Sequence, residues 1–316
     1  MPVEFRGLGH VFLAVRRACD WYGEIGISIE GSRLERIRTY IETRLLRTDT
    51  PEAHELEKLT PRAETYYALS DGAAFGLIAK QLSSLSSNLL PRRTLRDILS
   101  GPLVPKEETP ASSDGRNKFV ELELAAYLSS AGFELKAFDD VAFEFEGVRY
   151  YVECKRPFRA GRLEENIDKA YRQLRTKLVG PNDRGIIAVA LDKMLGLDRV
   201  VQEFPTHSSA SEFAEGIAKR LLARVERYQS EWVDPRVVGF YGVIQFISRT
   251  ESPPSFGPSY NLALLIIATP HSGQEVDFQR LGRMMKRVKT SFGGSVYGDA
   301  EPRASSGHLG SRPDAR

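Results

Sequence analysis

The chain has 316 residues, of which 41% are hydrophobic and 27% charged, and its formal net charge is only +2. This composition is typical of a globular protein with a substantial core, and it excludes a polycation that binds nucleic acid along its whole length. No apolar run approaches the ~20 residues of a membrane helix, and no signal peptide is visible. With two cysteines and no CxxC pair, we expect a cytoplasmic protein without a zinc site.

Residues 1–100 show mostly helical periodicity and form the first predicted domain, to which the sequence assigns no role. Ser32 is placed to cap a helix there. The apolar stripe of that helix is Leu34, Ile37, Ile41 and Leu45. Further helices are predicted over 51–69 and 73–85, and a short strand is predicted at 26–29.

Residues 101–116 are rich in Pro, Ser, Gly and charge, and we expect a linker that buries little. The region after it, 117–292, alternates helix and strand, which favours a mixed β-sheet flanked by helices in the α/β class. Its predicted elements are helix 119–131, strands 133–138, 141–145 and 148–154, helix 163–179, strand 185–191, helix 211–230, strands 237–246 and 262–268, and helix 276–289. Residues 293–316 offer little to bury, and we expect a disordered tail.

Charged residues stand at the ends of two apolar strands in the stretch 139–157. Because strand side chains alternate, Glu153 and Lys155 are expected on one face. The Glu146–Gly147 turn makes their strand the antiparallel neighbour of the strand that Asp140 precedes, so Asp140 is expected beside them. Two carboxylates suit Mg²⁺, which prefers oxygen ligands, and a lysine can hold the attacking water or offset phosphate charge.

Asp140, twelve intervening residues and then Glu153-x-Lys155 resemble the signature of the PD-(D/E)XK nuclease superfamily, which has the restriction endonuclease-like fold. The resemblance covers about residues 117–191. The chain departs from the family's pattern at Asp139, which stands where proline is usual, and this leaves open which of the two aspartates is the ligand.

The family's motif also includes an acid on the helix before the first core strand and often a glutamine on the helix after the Glu-x-Lys strand. Glu121 matches the first position, with Glu123 as a nearby rival, and Gln173 matches the second. On the helix that carries Gln173, a stripe of cations and amides borders the predicted core side.

The resemblance implies a Mg²⁺-dependent endonuclease, with Mn²⁺ as a substitute, that acts on DNA or, less favoured, on RNA in restriction, phage defence or repair. The implied metal ligands are Asp140, Glu153 and Glu121, and the implied catalytic set adds Lys155 and Gln173. The predicted phosphate contacts are Arg156, Arg159, Lys169, Arg172 and Lys177. Many nucleases of this kind cut as homodimers, so a dimer is compatible with this hypothesis, although the sequence does not establish one.

The alternative hypothesis is a catalytically inactive nuclease-like module that binds nucleic acid or a partner protein. Glu-x-Lys alone occurs by chance in many proteins, and an exposed ion pair of this kind at a strand end contributes little. The ordered set of helix, strands, turn and motif favours the nuclease. Fold does not fix a biological role, so the pathway remains open at this point.

Overall fold

The computed structural model describes residues 8–45, 63–85, 91–109, 112–137, 141–197, 202–225, 234–251 and 254–266, together with 276–288 except 278 and 285. The chain is a mixed α/β protein. Its helices are α1 (Leu8–Glu24), α2 (Arg33–Tyr40), α3 (Ala63–Leu82), α4 (Arg92–Asp97), α5 (Asp114–Ser130), α6 (Leu163–Lys177), α7 (Asp192–Leu195) and α8 (His207–Val225). The described residues of 276–288 are also helical and are called the 276–288 segment below.

The strands form one mixed sheet in the order β1–β2–β3–β4–β6–β5. Their bounds are β1 (Glu134–Ala137), β2 (Ala142–Phe145), β3 (Val148–Lys155), β4 (Asp183–Ala190), β5 (Gln202–Phe204), β6 (Val237–Glu251) and β7 (Pro254–Ile266). Antiparallel pairs join β1 to β2 and β2 to β3, whereas β3, β4 and β6 run parallel. β7 is antiparallel to β6 along nearly its whole length, so β4 and β5 share the other edge of β6.

The β2–β3 hairpin has the turn that its sequence predicts. Glu146 and Gly147 both have positive φ, 50° and 74°, as a two-residue hairpin turn of the right twist requires. The register then places Phe143 opposite Tyr150, and their rings stack with centroids 5.2 Å apart. The turn therefore fixes which side chains of β3 face each side of the sheet.

Two apolar cores lie on the two faces of the sheet, because successive side chains of β3 and β4 point in opposite directions. Val152 and Ile186 belong to the core on the face covered by α5, the helices before it and the 276–288 segment. Ile187 and Val189 belong to the core under α6 and α8. The sheet is thus enclosed by helices on both faces.

Helices α1 to α3 contribute to the first of these cores, together with α5 and β3. Phe75 of α3 packs against Phe119 of α5, with ring centroids 4.7 Å apart, and a single apolar cluster runs from Val11 to Val152. Arg33 is fully buried with its guanidinium over both of those rings. Burial lowers the pKa of Arg33 to about 9.

The predicted linker 101–116 is not an exposed connection. Val104, Glu108 and Arg116 are buried, and α5 already begins at Asp114. Composition typical of a loop does not prevent burial when the charged groups find partners in the interior. Sequence reasoning missed those partners.

The predicted helix that follows Ser32 is present, with an earlier end than the sequence indicates. Ser32 caps α2, since its side chain accepts a hydrogen bond from the Glu35 amide at 3.1 Å. All four residues of the predicted stripe are buried, although the α-helix ends at Tyr40 and a π-helical turn, Ile41–Leu45, continues it.

Some predictions are wrong or fall outside the described residues. The predicted strand at 26–29 is a loop, in which Gly26 has a φ of 67°. The tail 293–316 and part of the predicted helix 51–69 lie outside the described residues. Among the described helices, none combines the length and the hydropathy that crossing a bilayer requires.

The close approach of α1 to α3 gives a test of the single core. A Cβ added at Gly76 would lie 2.5 Å from the Cβ and 2.9 Å from the backbone of Ala14, so α1 must move. We expect Gly76→Ala to lower the free energy of unfolding by about 1–3 kcal/mol. Urea denaturation followed by circular dichroism should show this loss in one transition of the whole chain.

Gly23→Ala is the control, because a Cβ at Gly23 meets no atom within 4 Å. Alanine is the better helix former, so this change is expected to raise the free energy of unfolding by about 0 to 1 kcal/mol. A shared core would be contradicted if Gly76→Ala shifted a separate unfolding transition at low urea concentration and left the main transition unchanged.

Candidate functional site

The carboxyl end of β3 brings Glu153 and Lys155 to the face of the sheet that α6 covers. The Lys155 ammonium donates a hydrogen bond to Glu153 Oε2 at 3.0 Å. The Glu153 side chain is only 7% exposed and the Lys155 side chain 14%, so this is not the solvated ion pair of the alternative interpretation. Glu153 and Lys155 thus lie side by side on one face of the sheet.

Helix α6 adds a second cation to the same carboxylate. Lys177 donates to Glu153 Oε1, the oxygen that Lys155 leaves free. A Cβ at Gly185 would lie 3.1 Å from Leu174 of α6, which shows how closely the helix is seated, and Gly185 pairs with Tyr151 in β3. The helix therefore crosses the sheet two residues before Glu153, within reach of a lysine side chain.

Lys177 has a contact that its predicted role does not include. Sequence analysis assigned it to phosphate, whereas the structure engages its ammonium with the motif carboxylate. Lys155 and Lys177 thus compensate one buried carboxylate from two sides.

Gln173 lies one helical turn before Lys177 and shares its side of α6. Its Oε1 atom is buried and has no hydrogen-bond partner among the described residues. Buried polar atoms are nearly always satisfied, so an orphan acceptor beside a charged cluster marks a place where a ligand, a water or an ion completes the bonding.

The acid predicted on α5 lies close to β3, but beside a different side chain. Glu121 contributes to raising the pKa of Cys154 well above its ordinary range, although burial is the larger cause. Cys154 points to the opposite face from Glu153. The rival acid, Glu123, is hydrogen-bonded to Tyr127, whose pKa is raised by burial and then by that carboxylate.

The donors that the structure describes fit a hard divalent cation in kind. Glu153 supplies a buried carboxylate and Gln173 an unpartnered amide oxygen, and Mg²⁺ in proteins commonly binds through one or two carboxylates plus substrate phosphate. The described residues contain no group of three or more acidic, histidine or cysteine side chains arranged around a metal. Asp139 and Asp140 lie outside the described residues, so the aspartate ligand stays a prediction.

Arg156 corrects another sequence prediction. Its side chain is 2% exposed and donates to Asp192 Oδ2 at 2.8 and 3.2 Å and to Glu108 Oε2 at 2.8 Å. A guanidinium held in this way cannot contact a phosphate at the surface. Arg159, Lys169 and Arg172, the other predicted contacts, are exposed as expected.

Sequence reasoning missed the interior charges that surround Arg156. Asp192 comes directly after Leu191, the buried residue that follows β4. Polar side chains gather at such positions in parallel sheets, so the sequence contained a signal for Asp192. Glu108 carried no such signal because it stands in a stretch of loop-like composition.

Removal of both lysines tests whether Glu153 depends on them. Lys155→Met combined with Lys177→Met keeps the apolar stems and leaves the carboxylate unpaired in a buried position. We expect the free energy of unfolding at pH 7 to fall by about 2–4 kcal/mol, and addition of Glu153→Gln to recover more than half of that loss.

The matched control is Lys136→Met, which removes an exposed lysine from its pair with Glu134. This change is expected to stay within about 0.5 kcal/mol of the parent chain. If adding Glu153→Gln to the double lysine variant did not raise its free energy of unfolding, Glu153 would not be the charge that the two lysines compensate.

Comparison of the chain with known proteins found no matching family model. It likewise found no matching curated protein and no matching solved structure. The function is therefore argued from the residues and their geometry.

Proposed function

We propose that this protein is a metal-dependent nuclease that hydrolyses phosphodiester bonds in nucleic acid, with DNA as the favoured substrate. The observation that carries the proposal is the buried cluster of Glu153, Lys155 and Lys177 at the carboxyl end of β3. It combines a candidate metal-binding carboxylate with ammonium groups suited to an anionic substrate.

The surrounding elements support the same proposal. From α5 to β4 the chain runs helix, three strands, helix, strand, and these strands lie in sequence order with β1–β2–β3 antiparallel and β3–β4 parallel. This is the arrangement that the resemblance to the restriction endonuclease-like fold implies. The motif pair also occupies the strand that the resemblance assigns to it.

The position of Val141 supports the predicted contribution of Asp140. The Val141 carbonyl accepts a hydrogen bond from the Val152 amide at 2.8 Å, so the residue after Asp140 lies beside the residue before Glu153. In the proposed site Asp140 and Glu153 hold Mg²⁺, and Mn²⁺ can take the place of Mg²⁺. The bound ion supplies positive charge that polarises the phosphate and activates water.

The side chains of the cluster have separate tasks in this proposal. Lys155 is held by its bond to Glu153, so its ammonium is fixed in place to orient the attacking water and offset charge that develops on the phosphoryl oxygens. The Gln173 amide orients the water or a phosphate oxygen. Lys177 pairs with the Glu153 carboxylate and compensates its charge from the side of α6.

Exposed cations on and before α6 provide a surface for the nucleic-acid backbone. Arg159, Lys169 and Arg172 are exposed on the same side of the sheet as the motif, since α6 covers that face. Cations of this kind bind phosphates without regard to sequence. The interface proposed here excludes Arg156.

One observation favours the alternative, a nucleic-acid-binding module without activity. Both oxygens of Glu153 already have ammonium partners, so the carboxylate is compensated without a metal. Calorimetric titration with Mn²⁺ separates the two proposals. The nuclease requires a binding site that Asp140→Ala abolishes, and the inactive module shows none.

Incubation of the protein with supercoiled plasmid and Mg²⁺ or Mn²⁺ tests the activity. We expect nicking or linearisation that EDTA stops, and a fall of at least about 100-fold in Lys155→Ala because that amine acts at the reacting phosphate. Lys136→Ala, a surface lysine outside the cluster, should cleave like the parent chain. Equal cleavage by the two lysine variants, or cleavage that survives EDTA, overturns the assignment.

The salt dependence of binding tests the cationic surface. With DNA and EDTA, the slope of log K against log salt is expected to become less steep by about 2–3 when Arg159, Lys169 and Arg172 are all changed to Ala, because each phosphate contact contributes about 0.9. The control carries Ala at Arg16, Arg17 and Lys80, three exposed cations of α1 and α3, and should keep the original slope. Identical slopes in both triple variants would place the interface elsewhere.

A further inference from the structure

A buried ionic network begins at the residue that follows the motif lysine. β3 and β4 are parallel with Lys155 opposite Val189, so the segments after their carboxyl ends meet. Arg156 follows β3 and Asp192 follows β4. Two nitrogens of the Arg156 guanidinium donate hydrogen bonds to the Asp192 carboxylate. Two charged side chains are thereby locked together directly beyond the proposed active site.

Backbone pairing between β3 and β4 stops at this point. Lys155 is the last residue of β3 that pairs with β4, and the residue after Arg156 is Pro157, which has no amide hydrogen to donate. The Arg156 side chain therefore provides the anchor that backbone pairing no longer supplies. Any increase in backbone motion at Arg156 also affects the adjacent residue, Lys155.

The carboxylates outweigh the cost of burying Arg156. Burial by itself opposes the charged guanidinium, but the charges of Asp192 and Glu108 raise the pKa of Arg156 above its ordinary value. Lys193 approaches the same Glu108 carboxylate at 3.5 Å. The side chain of Glu108 is fully buried, so these contacts are protected from competing water.

The network continues from Glu108 into the N-terminal helices. Arg116 Nε lies 3.1 Å from Glu108 Oε1, and Arg116 Nη1 lies 3.1 Å from Asp71 Oδ2 of α3. Asp71 is also 3.7 Å from Arg33 Nη1 of α2. A continuous chain of buried charges thus runs from the proposed active strand to α2 and α3.

We propose that Glu108 and Asp192 are positioning residues: by holding Arg156 they fix the end of β3, and through Arg116 and Asp71 they make the geometry of Lys155 depend on the N-terminal helices. This inference rests on the proposed nuclease function for its catalytic consequence. Its structural part, a tether between the N-terminal helices and the end of β3, stands on the ion pairs alone. The N-terminal helices then act as part of the catalytic framework.

The experiment compares Asp192→Asn with Asp277→Asn in the full-length chain. Asp277 is the matched control because its side chain is similarly buried and pairs with Arg184 and Arg280 near the amino end of β4, the opposite end from Asp192. Both changes remove one charge from a buried ion pair and are expected to destabilise the protein comparably. Asp192→Glu, which keeps the charge, is the conservative variant.

Two measurements are made on the folded proteins. Plasmid cleavage with Mg²⁺ should show kcat lowered about 10- to 100-fold in Asp192→Asn, with KM for DNA changed less than twofold, and partial recovery in Asp192→Glu. Asp277→Asn should keep the parent kcat. Hydrogen exchange should accelerate in peptides covering residues 150–156 in Asp192→Asn and Glu108→Gln, and remain unchanged there in Asp277→Asn.

The two measurements separate the possible failures. A parent chain that cleaves nothing overturns the nuclease proposal, and hydrogen exchange then decides the tether by itself. Exchange at 150–156 that is unchanged in Asp192→Asn, or accelerated equally in Asp277→Asn, overturns the tether. An active parent with equal kcat in the two Asn variants overturns the positioning role.

Discussion

The carboxylate of Glu153 lies in the interior of the protein with an ammonium group on each oxygen, and the site depends on this compensation of charge. Removing an ionised group from water is costly unless it is paired and hydrogen-bonded. One cation comes from β3 itself and the other from α6. The need to compensate the charge of Glu153 therefore influences both the placement of the motif lysine on β3 and the position of α6 on the sheet. The buried Gln173 oxygen, which has no hydrogen-bond partner in the described part of the chain, belongs to a residue one helical turn before Lys177.

Parallel pairing of β3 and β4 explains why so much charge gathers in one place. Parallel strands end at the same edge of a sheet, and polar residues that follow them are brought together there. Glu153 and Lys155 lie at the end of β3, whereas Arg156 and Asp192 follow the ends of β3 and β4. The first pair lies on the face that α6 covers, and the second pair joins the segments that follow the two strands.

Local rules were sufficient for the parts of the site that depend on neighbouring residues. Alternation along β3 and the Glu146–Gly147 turn predicted the common face of Glu153 and Lys155, and both rest on short-range sterics. The role of Arg156 depends on partners 36 and 48 residues away, and no local pattern contains them. For the same reason the composition of 101–116 predicts a linker: it resembles that of a loop, and only long-range packing buries Glu108.

The shared apolar cluster of the N-terminal helices and α5 has a practical consequence for anyone dissecting the chain. A fragment that begins at residue 117 would strip the cover from Phe119 and Leu122, both buried at present, and would cut away Arg116 with its two carboxylate partners. Contiguous apolar surface of that kind promotes self-association. Such a shortened protein would be expected to aggregate on expression, so an inactive preparation of it would carry no information about catalysis.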